Sequence, residues 1–190
     1  MTDEQIFDLI DSLQLDSQVP IKDIPDLDLY MDQLITLFEK YLAPTKRRPD
    51  DKLLTKTMIN NYTKNKLLSP AQKKKYTVDH VLLMLLIYQL KQVTSMEDIK
   101  TLFSFLKDGE AINHEKLQFV YQKFLDSQAG QLSALKDETR RIAENAKEKT
   151  AGSGMEPTDS ILMCLLLFQQ SLHYKRLAEK LLDEMTSDEA

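Results

Sequence analysis

The stretch MINNYTKNKLLSP at residues 58–70, followed by KKKYTVDHVLLMLLIYQL at 73–90 and SMEDIKTLF at 95–103, decides how the chain folds. Met58, Ile59 and Tyr62 fall on one side of a helix. Leu67-Leu68-Ser69-Pro70 ends it, because proline has no amide hydrogen and pushes the residue before it out of helical geometry. Three lysines then form a basic turn. Thr77 is an N-cap, with Asp79 near the positive end of the helix that follows. From Val81 to Leu90 that helix is apolar on nearly every side, so it is expected to be surrounded. Ser95 with Asp98 reads as a capping box, and Met96, Ile99, Leu102, Phe103 and Leu106 form a stripe that can pack on the central helix.

This order of motifs resembles the DNA-binding domain of the mercury-resistance-regulator (MerR) superfamily. The second helix and wing of that family run roughly T-x-R-Y-Y-x-x-x-G-L-L-x-P and then R-Y-S/T-x-x-D. The matching positions are Tyr62, Leu67, Leu68 and Pro70, then Lys75, Tyr76, Thr77 and Asp79. Ser95-Met-Glu-Asp-Ile99 falls where the family has its S-L-E-E-I helix start. Asn60 and Asn61 stand where the family has Arg and the first Tyr, and Lys66 replaces the Gly. The segment from Ser69 to Tyr76 is short for a wing. The region from Ile24 to Phe103 also looks like an uncharacterised bacterial family known only as a domain of unknown function. The MerR resemblance implies a winged helix-turn-helix and double-stranded DNA as partner.

Composition points the same way on fold class. Only four Gly and six Pro occur among 190 residues, many of which are Leu, Lys, Glu and Gln, and Asn-Gly or Gly turns suited to hairpins are lacking, so an all-α fold is expected. The single Cys164 sits in an apolar run, which predicts a buried structural thiol in a reducing compartment. The acidic start MTDEQIFDLIDSL carries no basic leader, and no apolar run exceeds the eight residues of 161–168, well short of the roughly 20 that span a bilayer. A cytoplasmic protein that does not enter membranes is expected.

The net charge of −5 is unevenly spread. Residues 1–43 hold two Lys and ten acids, whereas residues 44–76 hold ten Lys or Arg and two Asp, a local charge of +8. Local field rather than total charge draws phosphates. Two readings of this block stand open: a phosphate-binding surface, or a counterweight to acids such as Asp23, Asp26, Asp28 and Asp32.

Along the chain, Thr2 and Gln5 suggest a capping box for a first helix reaching about Leu13 that docks weakly, and Pro20 and Pro25 mark a linker. Leu27, Tyr30, Leu34, Leu37, Phe38 and Tyr41 predict a one-faced helix from about Asp26 to Leu42. After Gly109, Asn113 can cap a helix bearing Leu117, Val120, Tyr121 and Phe124. A narrow seam at Leu132, Leu135, Ile142 and Ala146 suits one partner helix. The linker Ala151-Gly-Ser-Gly154 leads to a last helix from about Asp159 to Met185. The expected frame is an acidic helix and linker (1–22), a MerR-like domain (23–107), and a C-terminal helical hairpin or small bundle (108–190) serving either self-association as a homodimer or contact with another partner.

The predicted reading surface is a helix at 55–65. Thr57, Asn60, Asn61 and Lys64 are candidates for groove contact, since Asn pairs in two places with adenine and Lys reaches guanine or phosphate. Lys56, Lys66, Lys73, Lys74 and Lys75 are candidates for phosphate contact. His80, His114 and His173 form no zinc motif, and no phosphate loop or nucleophile elbow occurs, so no catalytic residue, metal or cofactor is expected. The expected function is a sequence-specific DNA-binding transcriptional regulator. The competing expectation is a helical protein-interaction module on a winged-helix-like scaffold.

Overall fold

Thr55 opens the third helix: its hydroxyl accepts the Met58 amide at 3.2 Å, and α3 follows over Lys56–Lys64. The end of α3 is a Schellman turn. The Lys66 amide donates to the Thr63 carbonyl at 3.0 Å and the Leu67 amide to the Tyr62 carbonyl at 2.9 Å, with Lys66 left-handed at φ 60° between them. Glycine adopts that conformation most readily, and it is held here by a lysine. Leu67 and Leu68 are thereby turned into the core.

The computed structural model of the chain describes residues 2–152 and 154–187, and it is all-α in class. Among the described residues the helices are α1 (Asp3–Ser12), α2 (Met31–Leu42), α3, α4 (Val78–Leu90), α5 (Met96–Ser104), α6 (His114–Thr150) and α7 (Thr158–Ser187). Four two-residue strands accompany them: β1 (Leu29–Tyr30) pairs with β2 (Lys75–Tyr76), and β3 (Lys107–Asp108) with β4 (Ala111–Ile112), both antiparallel. By contacts the chain divides into residues 17–127 and a second unit of 2–16 with 128–187. Ser153 of the expected linker 151–154, Met1, and residues 188–190 of the expected C-terminal region lie outside the described residues.

The unit 17–127 is built around α4. Every residue from His80 to Ile87 is buried, as an all-round apolar helix requires. Leu34, Phe38 and Leu42 of α2, Ile59 and Tyr62 of α3, and Ile99 and Phe103 of α5 surround it. The core is closed by pieces outside the expected 23–107 frame. Val19 is fully buried in the proline-flanked segment, and Tyr121 of α6 donates its hydroxyl to the Val19 carbonyl at 2.9 Å. Burial raises the Tyr121 pKa, in keeping with a phenol held as a neutral donor.

Two local expectations are corrected. The helix expected from Asp26 begins at Met31, because Leu29 and Tyr30 form β1 against Tyr76 and Lys75. The basic turn is a hairpin despite having no glycine: Gln72 and Lys75 exchange both backbone hydrogen bonds, at 3.1 and 2.9 Å, around Lys73 (φ 50°) and Lys74 (φ 66°). Positive φ at both central residues is the type I′ signature normally met by Asn-Gly.

His80 ties these pieces together. Its Nδ1 accepts the Thr77 amide at 3.1 Å, and its Nε2 lies 3.1 Å from the Ser69 carbonyl. A backbone amide can only donate and a carbonyl can only accept, so the ring carries its hydrogen on Nε2. The ring also meets Tyr76 edge-on at 5.8 Å. His80 thus joins the start of α4 to the Leu-Leu-x-Pro segment. His80→Ala is expected to lower stability by about 2–4 kcal/mol, by lost packing of a buried ring and the loss of its hydrogen bonds to Thr77 and Ser69. A urea midpoint unchanged from wild type would refute that role.

In the other unit, Ile6 and Ile10 of α1 are buried with Ala143, Ala146 and Met163. Arg140 stacks over Phe7 at 4.8 Å and pairs with Asp3 at 3.0 Å, while Lys136 pairs with Asp11 at 2.6 Å. Two of the four α1 acids, Asp3 and Asp11, are therefore engaged by α6. Cys164 is exposed, correcting the buried thiol expected, because α7 turns only one side inward and Met163 is its buried residue. Ile161, Leu165, Phe168 and Leu172 form an exposed stripe, and Tyr174, Leu177 and Leu181 another, with fractional exposures of 53–75%.

Candidate nucleic-acid interface

Nine residues of α3 and its sequel were expected to meet DNA, and the fold places five on α3, Lys66 on the turn that ends it and three on the hairpin that follows. Thr57, Asn60, Asn61 and Lys64 occupy positions i, i+3, i+4 and i+7 of α3, which puts them on one side of the helix. All four are exposed, as is Lys56. Ile59 and Tyr62 hold the opposite side in the core, and burial raises the Tyr62 pKa. The free side is fixed by that burial and by the caps at either end.

The side chains of Lys56, Thr57, Asn60, Asn61 and Lys64 have no hydrogen-bond or ion-pair partner among the described residues. Asn65 instead folds back on its own helix, its amide nitrogen donating to the Asn61 carbonyl at 2.8 Å. Paired asparagines that neither cap nor brace their own helix leave two acceptors and four hydrogens presented to solvent. Helix propensity gives no reason for them, since Asn ranks low in helix interiors.

Lys73 and Lys74 form the exposed tip of the hairpin, in the left-handed region where a side chain costs roughly 1–2 kcal/mol per residue. Lys75 differs from them. It lies in β2, partly buried, with its Nζ 5.2 Å from the centre of the Tyr30 ring, so its charge is partly engaged by the cation–π contact. Lys66 sits at the Schellman turn. Thr63 and Lys66 line the same cleft as Gln72, which brings the end of α3 beside the base of the hairpin.

The acids of the first 43 residues barely neutralise this block. Glu39 pairs with Lys46 at 2.6 Å, whereas Asp23, Asp26, Asp28 and Asp32 form no ion pair among the described residues. Lys91, lying beneath α3 with its Nζ 3.9 Å from the Met58 sulfur, has its pKa lowered by burial. His114 is spent on Asp79, 2.6 Å away, and His173 lies on exposed α7. No described helix is long and apolar enough to cross a membrane.

One protein-family model matches residues 19–124, more than half of the chain. The chain belongs to the Domain of unknown function (DUF1836) family. No curated protein and no solved structure matches it. The DUF1836 match begins at Val19 and ends at Phe124, close to the limits of the unit 17–127. The family boundary is therefore the boundary of a core: Val19 at one end and Leu117, Tyr121 and Phe124 at the other all pack into it. The resemblance seen over 24–103 stops short at both ends because those closing residues carry no local motif. The exposed side of α3 and the hairpin both lie inside the DUF1836 domain.

Proposed function

We propose that this DUF1836 protein is a sequence-specific DNA-binding transcriptional regulator with a MerR-like winged helix-turn-helix. In this reading α3 enters the major groove, with Thr57, Asn60, Asn61 and Lys64 reading bases. Lys56 and Lys66 flank them on phosphate, and the β-hairpin is a minimal wing whose Lys73 and Lys74 grip the backbone. Lys75 contributes through its field. The observation that carries the reading is the pairing of an unpartnered Asn/Lys/Thr helix side with a strained hairpin tip made of lysines. Strain of this sort is retained where it positions a functional group.

The test is a titration of labelled duplex at several salt concentrations, followed by selection of bound fragments from genomic DNA. Four lysine–phosphate contacts predict a log–log salt slope of roughly −4. Asn60→Ala is expected to reduce discrimination between selected and scrambled duplex by about tenfold, as one bidentate contact worth ~1–3 kcal/mol implies, with little change in non-specific affinity. Affinity no better than that of a charge-matched control would instead favour the protein-interaction reading.

We further propose that the regulator works as a homodimer through α7. Tyr174, Leu177, Leu181 and Met185 recur at three- and four-residue steps, and three of the four are exposed. A two-fold arrangement suits the paired half-sites that such readers use.

A further inference from the structure

We propose that a cleft at the end of α3 binds a small amphipathic anion, a molecule with a carboxylate or similar group on an apolar body. The cleft has a volume of about 570 Å³, within the range of sites that take small organic ligands. It is bounded by the turn after α3, the first turns of α4, α5 and the β3–β4 hairpin. Gly109, at φ 63°, stands at the first central position of that hairpin and lets it fold back over the opening.

The lining has two chemistries. Its floor is Leu67, Leu83 and Phe103, all buried, so an apolar body entering there displaces water from hydrocarbon. Its rim carries Lys66, Lys100 and Lys107, none of which has an ion-pair partner among the described residues. Two acids also line it. Asp79 is held by His114 at 2.6 Å, and Glu110 stands exposed on the hairpin. His80 is bonded to Thr77 on one side and to Ser69 on the other, so the three shape the wall without demanding a ligand hydrogen bond. Three uncommitted ammonium groups above an apolar floor favour an anion over a neutral or cationic molecule of the same shape.

Lys100 and Lys107 lie outside the residues assigned to DNA, which makes the test independent of whether the chain binds DNA. The ¹⁵N-labelled full chain is titrated with 2-naphthoate and, separately, with neutral 2-naphthamide. Saturable shifts are expected at the amides of 66–69, 80, 103 and 110–112 with naphthoate, and affinity roughly tenfold weaker for the amide. Lys100→Gln with Lys107→Gln should reduce naphthoate affinity to that of naphthamide. Both are solvent-reaching positions, and the variant's fold is confirmed by its undisturbed core resonances. Equal affinity for acid and amide, naphthoate binding unchanged in the double variant, or shifts confined to the exposed stripes of α7 would each overturn the proposal.

Discussion

Replacing Lys73 with Asn and Lys74 with Gly should make the protein more stable and a worse DNA binder. Both lysines sit at positive φ in a two-residue turn closed by reciprocal Gln72–Lys75 hydrogen bonds. Asn-Gly is the pair that this turn accepts with least strain, so the double substitution should raise stability by about 1–2 kcal/mol. The same change removes two cations from the tip of the proposed wing. Loss of two phosphate contacts should lessen the salt slope by roughly 2 and weaken duplex binding about ten- to hundredfold at physiological salt. A gain in stability with a loss of binding is the pattern expected of strain kept for function. Urea unfolding and duplex titration on the same preparation decide the matter. A stabilised variant that binds DNA as tightly as the wild type would sink the wing.

What the sequence disclosed about this fold divides along a physical line. Caps at Thr2, Thr77, Ser95 and Asn113 are short-range devices, each a side chain bonded to an amide three residues on, and all four form as expected. The enclosed character of α4 is equally local, because no amphipathic side means no solvent side. The β1–β2 pair was invisible for the converse reason. Leu29 and Tyr30 fit the helical stripe that runs on to Tyr41, and only Tyr76, far along the chain, takes them out of it. The hairpin carries no turn signal in the sequence, because lysines instead of glycine occupy its left-handed positions. Tertiary closure was likewise illegible: the Tyr121–Val19 hydrogen bond spans 102 residues, and neither residue bears a motif.

The site shows the same division. A stripe at Thr57, Asn60, Asn61 and Lys64 could be read from spacing alone, and the helix does expose it. The work of His80 could not be read so. A histidine at the third position of a helix looks like surface until Ser69 and Tyr76 are brought to it. The cleft was hidden for the same reason, since Lys66, Lys100 and Lys107 belong to three separate elements and share a rim only after folding. Lys75 marks the limit of charge counting: part of the +8 block, it is turned onto the Tyr30 ring.

Leu177→Glu combined with Leu181→Glu is expected to convert a dimer into a monomer. Residues 171–187 of α7 are almost wholly exposed, and an isolated helical stretch of that length is marginal in water without a packed side. Its apolar side, Tyr174, Leu177, Leu181 and Met185, is bordered on one edge by Lys180 and Glu184, whereas Lys175 and Glu179 lie further round the helix. Within the chain these charges pair with each other, Lys175 with Glu179 at 3.7 Å and Lys180 with Glu184 at 2.6 Å. In an antiparallel pair related by a two-fold axis, each edge meets its own copy, so Lys180 can face the partner's Glu184. A second copy of α7 therefore satisfies both the apolar side and its charged edge, which a partner of one charge sign would not. Each introduced glutamate buries a carboxylate against hydrocarbon at several kcal/mol, so the dissociation constant should rise by about a thousandfold or more. Sedimentation equilibrium over a wide concentration range reads the result, and hydrogen exchange should show amides 171–187 losing protection in the variant. If the wild-type chain sediments as a monomer at high concentration, or the double variant keeps the wild-type mass, α7 does not join two copies.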